Sequence, residues 1–230
     1  MAKRRAPKGR SRARPVPSNA RYAFYAITLA LIILTAYLSW QYAATQQGDY
    51  LYLSSVTLSL LFPSIALSWM GFRGTRPTEI ISSLGLSRDR LTRRSIYYAL
   101  MLFAILIMIE IAIGLFSYAT GISLPTNVGM LLNGAPIYFL AFGIIIAPIN
   151  EEILFRGFLV PRIGIVASAL VFAALHGLSY ESVSEFAAAL AFGLAAGYVF
   201  RKTRSLYATI IPHAAINLIG IFALFYMIHV

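Results

Sequence analysis

The chain has 230 residues, of which 59% are hydrophobic and only 12% are charged, and its mean hydropathy is +0.75. A soluble domain is about 25% charged, so the composition excludes one and predicts an integral membrane protein. The chain contains no cysteine, which excludes disulfides, a thiol nucleophile and cysteine-bound metal. The formal net charge is +11, and its distribution along the chain has to be explained.

The first 21 residues form a basic tail. Eight of the nineteen Lys and Arg residues lie between Lys3 and Arg21, among Pro, Ser and Gly. A segment of this composition buries too little apolar surface to fold, and clustered Lys and Arg are attracted to anionic lipid. We predict that residues 1–21 are a disordered cytoplasmic tail that sets topology, and that the partner of the protein is membrane lipid rather than nucleic acid.

Apolar runs of about 20 residues fill most of the remaining chain, and each is long enough to cross about 30 Å of hydrocarbon as a helix. The sequence therefore predicts an all-α, polytopic bundle of transmembrane helices. Residues 22–230 form a single predicted domain, and its motif-bearing core is 134–229. The seven predicted spans are 22–43, 50–72, 95–118, 134–161, 163–178, 182–202 and 205–229.

The distribution of Lys and Arg predicts the orientation of these spans. If the tail is cytoplasmic, every later cluster of basic residues follows an even number of crossings. The three links on the other side, 44–49, 119–133 and 179–184, contain neither Lys nor Arg. The positive-inside rule then places the N-terminus inside and the C-terminus outside. We expect the protein in the cell membrane, with its site opening toward the cytoplasm.

Two segments outside the motifs predict local structure. In the link 71–94, Thr78 is placed to cap a short amphipathic helix lying on the cytoplasmic face. In the sixth span, Gly193 and Gly197 form a small-xxx-small pair, which favours close helix packing and permits a dimer.

Ionisable side chains recur within the later spans, where each is costly unless it pairs or faces water, and such a set indicates a working site. Glu152 and Arg156 are four residues apart and share a helix face, so we expect them to pair. Glu151 is turned away by about 100° and is left free to act as a general base. Pro148 removes a backbone hydrogen bond one turn earlier and is expected to free the carbonyl of Ile144.

The remaining polar groups lie on two other spans. His213 and Asn217 are four apart, so they project to one side of the seventh helix and form a candidate oxyanion hole. His176, on the fifth, is placed to hold a water molecule with Glu151. Glu151 and His176 each lie roughly 12 residues, about 18 Å, from a predicted turn near 161–164. Groups from three helices are therefore expected to meet in one layer.

Three ordered motifs give this region a family resemblance. The strings are Glu151-Glu152-x-x-x-Arg156, Phe172-x-x-x-His176 and His213-x-x-x-Asn217. Together they resemble the CPBP family, the CAAX-protease and bacteriocin-processing (Abi) membrane peptidases, which include the type II CAAX prenyl endopeptidase. The resemblance covers residues 148–217, and the first 130 residues add only compatible hydropathy.

The resemblance implies an intramembrane endopeptidase of the glutamate type, without a cofactor or metal. Glu151 and His176 would bind and activate a water molecule, and His213 and Asn217 would stabilise the oxyanion. Three further motif residues would support the site, namely Glu152, Arg156 and Phe172. The substrate would be a membrane-associated peptide or protein. A prenylated C-terminal peptide is one implied class, and leader peptides or unlipidated membrane segments stay open.

Two alternatives remain at this stage. Glu151, His176 and His213 could be the ligands of a zinc-dependent metallopeptidase, since two imidazoles and a carboxylate are a familiar zinc set, although the chain has no H-E-x-x-H motif. The chain could also be a non-hydrolytic, Abi-type immunity or regulatory membrane protein that uses the pocket only to bind. Glu110, in the third span, lies outside the motifs and is assigned no catalytic role.

Overall fold

The computed structural model describes residues 18–121 and 134–229, and every regular element in them is helical. The predicted all-α fold is confirmed. The α-helices are α1 (Ser18–Thr45), α2 (Gly48–Phe72), α3 (Pro77–Leu84), α4 (Arg93–Thr120), α5 (Ile137–Ala141), α6 (Ala147–Glu152), α7 (Val160–Ser179), α8 (Val183–Thr203) and α9 (Tyr207–His229). Most of the predicted tail, residues 1–17, lies outside the described residues, and so do residues 122–133 of one predicted link.

Five helical runs in the described residues are long and apolar enough to cross a membrane: Tyr22–Thr45, Gly48–Phe72, Arg93–Thr120, Ile137–Ser179 and Val183–Thr203. A shorter apolar helix covers Tyr207–Ala223. The seven predicted segments correspond to these six runs because the fourth and fifth share one run of 43 residues. The protein is thus an integral membrane protein built as a polytopic helical bundle.

The run Ile137–Ser179 folds back on itself. Gly164 interrupts it with φ 86° and ψ 171°, a backbone conformation outside the helical region. Ser168 Oγ donates a hydrogen bond to the carbonyl of Phe155 across 2.8 Å, whereas thirteen residues of straight helix would separate them by about 20 Å. The run is therefore a hairpin that turns close to the predicted position and brings its two arms side by side.

The first arm of this hairpin is irregular on both sides of α6. Five residues before α6 (Phe142–Ile146) and seven after it (Ile153–Leu159) are wound as π-helix. Such wider turns shift the hydrogen-bond register, and they occur often at functional sites. Because α6 carries both glutamates of the first motif, the two π-segments set the direction in which those side chains project.

The second arm of the hairpin packs closely on α8. A Cβ added to Gly193 would lie 2.8 Å from the Cβ of Ala169, and one added to Gly197 would lie 2.7 Å from Cγ2 of Ile165. Both contacts are closer than side chains tolerate, so only glycine permits this approach. The small-xxx-small pair is therefore used inside the chain, between α7 and α8, rather than exposed for a dimer.

The link between α2 and α4 contains the predicted amphipathic helix, as α3. It begins at Pro77, one residue before Thr78, and the Glu79 carboxylate accepts the N–H of Arg76 across 3.3 Å. Ile80 and Leu84 turn inward and are buried in the core. The helix is thus fixed to the protein as well as being amphipathic.

Gly85 ends α3 and attaches it to the junction of α8 and α9. Its φ is 84°, and an added Cβ would lie 2.7 Å from the carbonyl oxygen of Arg204. The Leu206 N–H donates to the Gly85 carbonyl across 3.0 Å, and the Tyr207 hydroxyl donates to the Leu86 carbonyl across 2.7 Å. These contacts fix the start of α9, the helix that carries the third motif.

Candidate active site

An ion pair within the first motif lies at the centre of the bundle. Arg156 Nη1 donates to Glu152 Oε1 across 2.7 Å, and the exposed fractions of the two side chains are 1% and 0%. The predicted pairing is present. The same carboxylate oxygen accepts from Nδ1 of His213 across 3.0 Å, although the two residues are 61 positions apart. Glu152 therefore joins the first motif to the third.

Two aromatic rings enclose the guanidinium of Arg156. Its Cζ lies 4.5 Å from the ring centroid of Phe172 and 4.5 Å from that of Phe192. The same rings also contact the histidines: Phe172 lies 4.2 Å from the ring centroid of His176, and Phe192 lies 4.6 Å from that of His213. Desolvated cation–π contacts of this kind are favourable. The rings also keep water away from the buried ion pair.

Glu151 faces both histidines of the set. Its Oε2 lies 4.0 Å from Nε2 of His176 and 3.6 Å from Nε2 of His213. The Glu151 and His176 side chains are 15% and 24% exposed, so this part of the site is more open than the Glu152 pair. The structure thus brings one group from each of α6, α7 and α9 together.

The hydrogen bonds behind the two imidazoles fix which nitrogen carries the proton. His176 Nδ1 lies 3.0 Å from the carbonyl oxygen of Phe172, and His213 Nδ1 lies 3.0 Å from the Glu152 carboxylate. Carbonyl and carboxylate oxygens accept only, so each Nδ1 must be the donor. In the neutral rings, both Nε2 atoms then present a lone pair toward Glu151 Oε2.

Buried polar atoms without a partner mark the same place. Glu151 Oε2 is buried at the atomic level and has no hydrogen-bond partner within the described residues, and Glu152 Oε2 and Arg156 Nη2 are in the same position. Buried polar groups are nearly always paired with protein or ordered water. Glu151 Oε2 and the Nε2 atoms of the neutral His176 and His213 rings are all acceptors, and no donor lies between them. A molecule that donates protons is therefore expected to bind there.

Asn217 is held by the irregular first arm of the hairpin. Its Nδ2 donates to the carbonyl of Gly143 across 2.9 Å. That carbonyl is available because the N–H of Ala147 bonds to Phe142 instead, and the next residue, Pro148, has no N–H. The carbonyl that accepts from Asn217 is that of Gly143, one residue before Ile144, whose carbonyl the sequence predicted to be freed by Pro148.

Tyr180 follows the last residue of α7 and lies beside His176. Its ring centroid is 6.0 Å from that of His176. Burial raises the pKa of Tyr180, and the charges of Glu151 and Glu185 raise it further. The hydroxyl consequently remains a proton donor at neutral pH, close to the group of acceptors.

Contacts join six of the seven motif residues into one cluster. The seventh, Asn217, follows His213 by one turn of α9 and bonds to Gly143, whereas Glu110 lies outside the cluster. Glu110 is exposed on α4, and in the described part of the chain no hydrogen bond or ion pair joins it to this cluster. The sequence reasoning missed Phe192, Gly143 and Tyr180. Each is an ordinary residue of an apolar segment or a turn, and only the packing of α8 and α9 on the hairpin gives it a place in the site.

A zinc centre would use Glu151, His176 and His213 as its ligands. Across residues 18–121 and 134–229, no group of three or more His, Cys, Asp or Glu side chains is arranged so that it could hold a metal ion. Glu151, His176 and His213 are close together but do not form such a group.

The fold and this cluster define a polytopic integral membrane protein with a polar site enclosed by its helices. Residues 132–219, a segment that contains all three motifs, match the family model described as Type II CAAX prenyl endopeptidase Rce1-like. The match supports a membrane endopeptidase of the CAAX type. No curated protein and no solved structure matches the chain.

Proposed function

We propose that the protein is an intramembrane endopeptidase that hydrolyses a peptide bond with a water molecule activated by Glu151 and His176. The observation that carries this proposal is the convergence of three acceptor atoms, Glu151 Oε2 and the Nε2 atoms of His176 and His213, at 4.0 and 3.6 Å. A water molecule supplies the donors that this arrangement lacks.

The distances suit bound water better than direct contact. At 4.0 Å, Glu151 Oε2 and His176 Nε2 are too far apart for a hydrogen bond between them, and one bridging water is the usual occupant of such a gap. Because both side chains are partly exposed, water can reach them. In the proposed step, Glu151 takes a proton from this water while the water oxygen forms a bond to the peptide carbonyl carbon.

His213 and Asn217 are proposed to stabilise the oxyanion that forms as the carbonyl π-electrons move onto oxygen. Asn217 has two N–H donors and uses one on Gly143, which leaves the other for the oxyanion. In the resting site the neutral His213 ring gives its Nδ1 proton to Glu152 and its Nε2 is an acceptor. To donate to the oxyanion, the ring must first take up a proton from solvent at Nε2 and become an imidazolium, with Glu152 as its counter-ion. When the tetrahedral intermediate collapses, the C–N bond breaks and the amine receives the proton held by Glu151.

The proposed substrate is a membrane-associated peptide or protein, and a prenylated C-terminal peptide is the class that the family suggests. We further propose that the site opens toward the cytoplasm. The positive-inside pattern supports that orientation, since the hairpin turn and the α8–α9 junction carry Arg162, Arg201, Lys202 and Arg204. A prenyl chain would then approach from the lipid between helices.

The proposal is tested with purified protein on a panel of prenylated and unprenylated peptides, with mass spectrometry locating the cut. Glu151→Gln is expected to lower kcat by about 10²–10⁴-fold, because it removes the general base. Glu110→Gln is the matched control, since it makes the same chemical change outside the cluster. Full cleavage activity of Glu151→Gln would overturn the role of Glu151 as the general base. The non-hydrolytic role would be favoured if the wild type cut none of the peptides while Glu151→Gln kept the full biological effect of the protein.

The zinc alternative has its own test. If Glu151, His176 and His213 ligated zinc, the purified protein would contain about one zinc per chain, and a strong chelator would abolish cleavage. The proposal expects cleavage to persist after exhaustive chelation, as measured with the same peptides. Loss of cleavage on chelation and its recovery on addition of zinc would reassign the mechanism.

A further inference from the structure

A cavity lies away from the Glu151 site, between α7 and α8. It has a volume of about 400 Å³ and is lined by Ile165, Tyr198, Arg201 and Lys202. This volume falls within the range of about 300–1,000 Å³ found for small-molecule sites. The cavity lies at the end of the bundle where the hairpin turns at Gly164, and none of the seven motif residues lines it.

The cavity has two positive charges at its rim and no negative charge to balance them. Arg201 and Lys202 belong to the last turn of α8, and both are exposed. Among the described residues, no carboxylate forms an ion pair with either side chain. Lys202 Nζ lies 5.4 Å from the ring centroid of Tyr198, which keeps the ammonium beside the cavity. The charge favours an anionic occupant.

The surface of α8 above the cavity changes in polarity along the helix. Leu194, Tyr198 and Lys202 are spaced by four residues and therefore form one stripe. Leu194 and Tyr198 are 38% and 48% exposed. The order aliphatic, aromatic, cationic is the order of hydrocarbon, interface and headgroup across one leaflet of a bilayer. Val166, the neighbour of Ile165 on α7, is a further exposed aliphatic residue.

We propose that this cavity binds the phosphodiester headgroup of an anionic phospholipid from the surrounding membrane. Arg201 and Lys202 contact the phosphate, Tyr198 packs against the glycerol, and the acyl chains run over Leu194 and Val166. Basic pockets between transmembrane helices bind anionic headgroups in this manner. The apolar stripe leading out of the cavity favours a lipid over a soluble phosphate, because only a lipid has acyl chains that can contact it.

The test uses the purified full-length chain in detergent, with equimolar phosphatidylglycerol and phosphatidylcholine of identical acyl chains, and counts retained lipid by native mass spectrometry. The wild type is expected to retain phosphatidylglycerol about tenfold over phosphatidylcholine. In Arg201→Ala/Lys202→Ala this preference is expected to fall to about parity. Arg201→Gln/Lys202→Gln gives a second, polar pair of substitutions should the alanine variant be poorly soluble.

The control variant Arg88→Ala/Arg93→Ala removes the same charge from exposed positions that do not line the cavity, and it is expected to keep the preference. An equal loss in this control would show that net charge alone selects the lipid, and would overturn the proposal. Unchanged lipid selection in the Arg201/Lys202 variants would also overturn it. So would displacement of the lipid by equimolar glycerol 3-phosphate, which would reassign the cavity to a soluble phosphate.

Discussion

His213 donates its Nδ1 proton to Glu152 across 3.0 Å, and this contact turns its Nε2 atom toward Glu151, 3.6 Å away. The adjacent residues Glu152 and Glu151 thus lie next to the two different ring nitrogens of His213. Glu152 is sealed inside the bundle with Arg156, whereas Glu151 remains in the more open part of the site. The two side chains are chemically identical, so this difference in surroundings is the reason for proposing different roles: an ion pair for Glu152 and proton transfer for Glu151.

Glu152→Gln is predicted to lower kcat by about 10²–10⁴-fold with little change in KM. The amide oxygen of glutamine can still accept the Nδ1 proton of His213, but it provides no negative charge to balance an imidazolium. Steady-state cleavage of a peptide substrate measures this split. An increase in KM at constant kcat would contradict the prediction, because it would place Glu152 in substrate binding instead.

Asn217→Ala is predicted to lower kcat by about 10²–10³-fold, the usual loss when one oxyanion donor is removed. Asn150→Ala is the control, because Asn150 is a buried asparagine whose amide donates to Ser59 Oγ of α2 across 3.2 Å, away from the proposed oxyanion. The control should affect stability more than kcat. Equal losses of kcat in both variants would argue against a specific role for Asn217.

Arg156→Leu is predicted to destabilise the protein by about 3–5 kcal/mol, because it leaves the Glu152 carboxylate buried without its partner. The double substitution Glu152→Leu/Arg156→Leu should recover most of that loss, since an apolar pair of similar size is often tolerated where a buried ion pair stood. The free energy of unfolding in mixed micelles measures both. The double variant should nevertheless stay inactive. Stability recovered without activity would show that the loss of catalysis is not caused by unfolding.

Gly193→Ala is predicted to destabilise the bundle by about 1–3 kcal/mol, because the added methyl group meets Ala169 at 2.8 Å. Gly220→Ala is the matched control on α9: nothing lies within 4 Å of its added Cβ, and alanine is the better helix former by about 1 kcal/mol. The two substitutions should therefore shift the unfolding midpoint in opposite directions. A shift in the same direction would contradict the close packing of α7 on α8.

The spacing of residues along single helices was enough to predict several features of the site. Residues four apart share a face, so Glu152 with Arg156 and His213 with Asn217 follow from helical geometry alone. The turn near residue 164 could be predicted as well, because two apolar segments meet there around a glycine. The convergence of Glu151 and His176 then follows from their equal distance from that turn.

The sequence by itself determined the membrane class, the helical fold and the identity of the polar residues, because hydropathy and a period of 3.6 residues are local properties. Only the tertiary structure decided that Glu152 binds His213, that Gly143 holds Asn217, and that Phe192 covers Arg156. These relationships depend on a hydrogen-bond register altered by π-helix and on the close approach of α7 and α8. Both arise from contacts between residues distant in the chain, which no local pattern encodes.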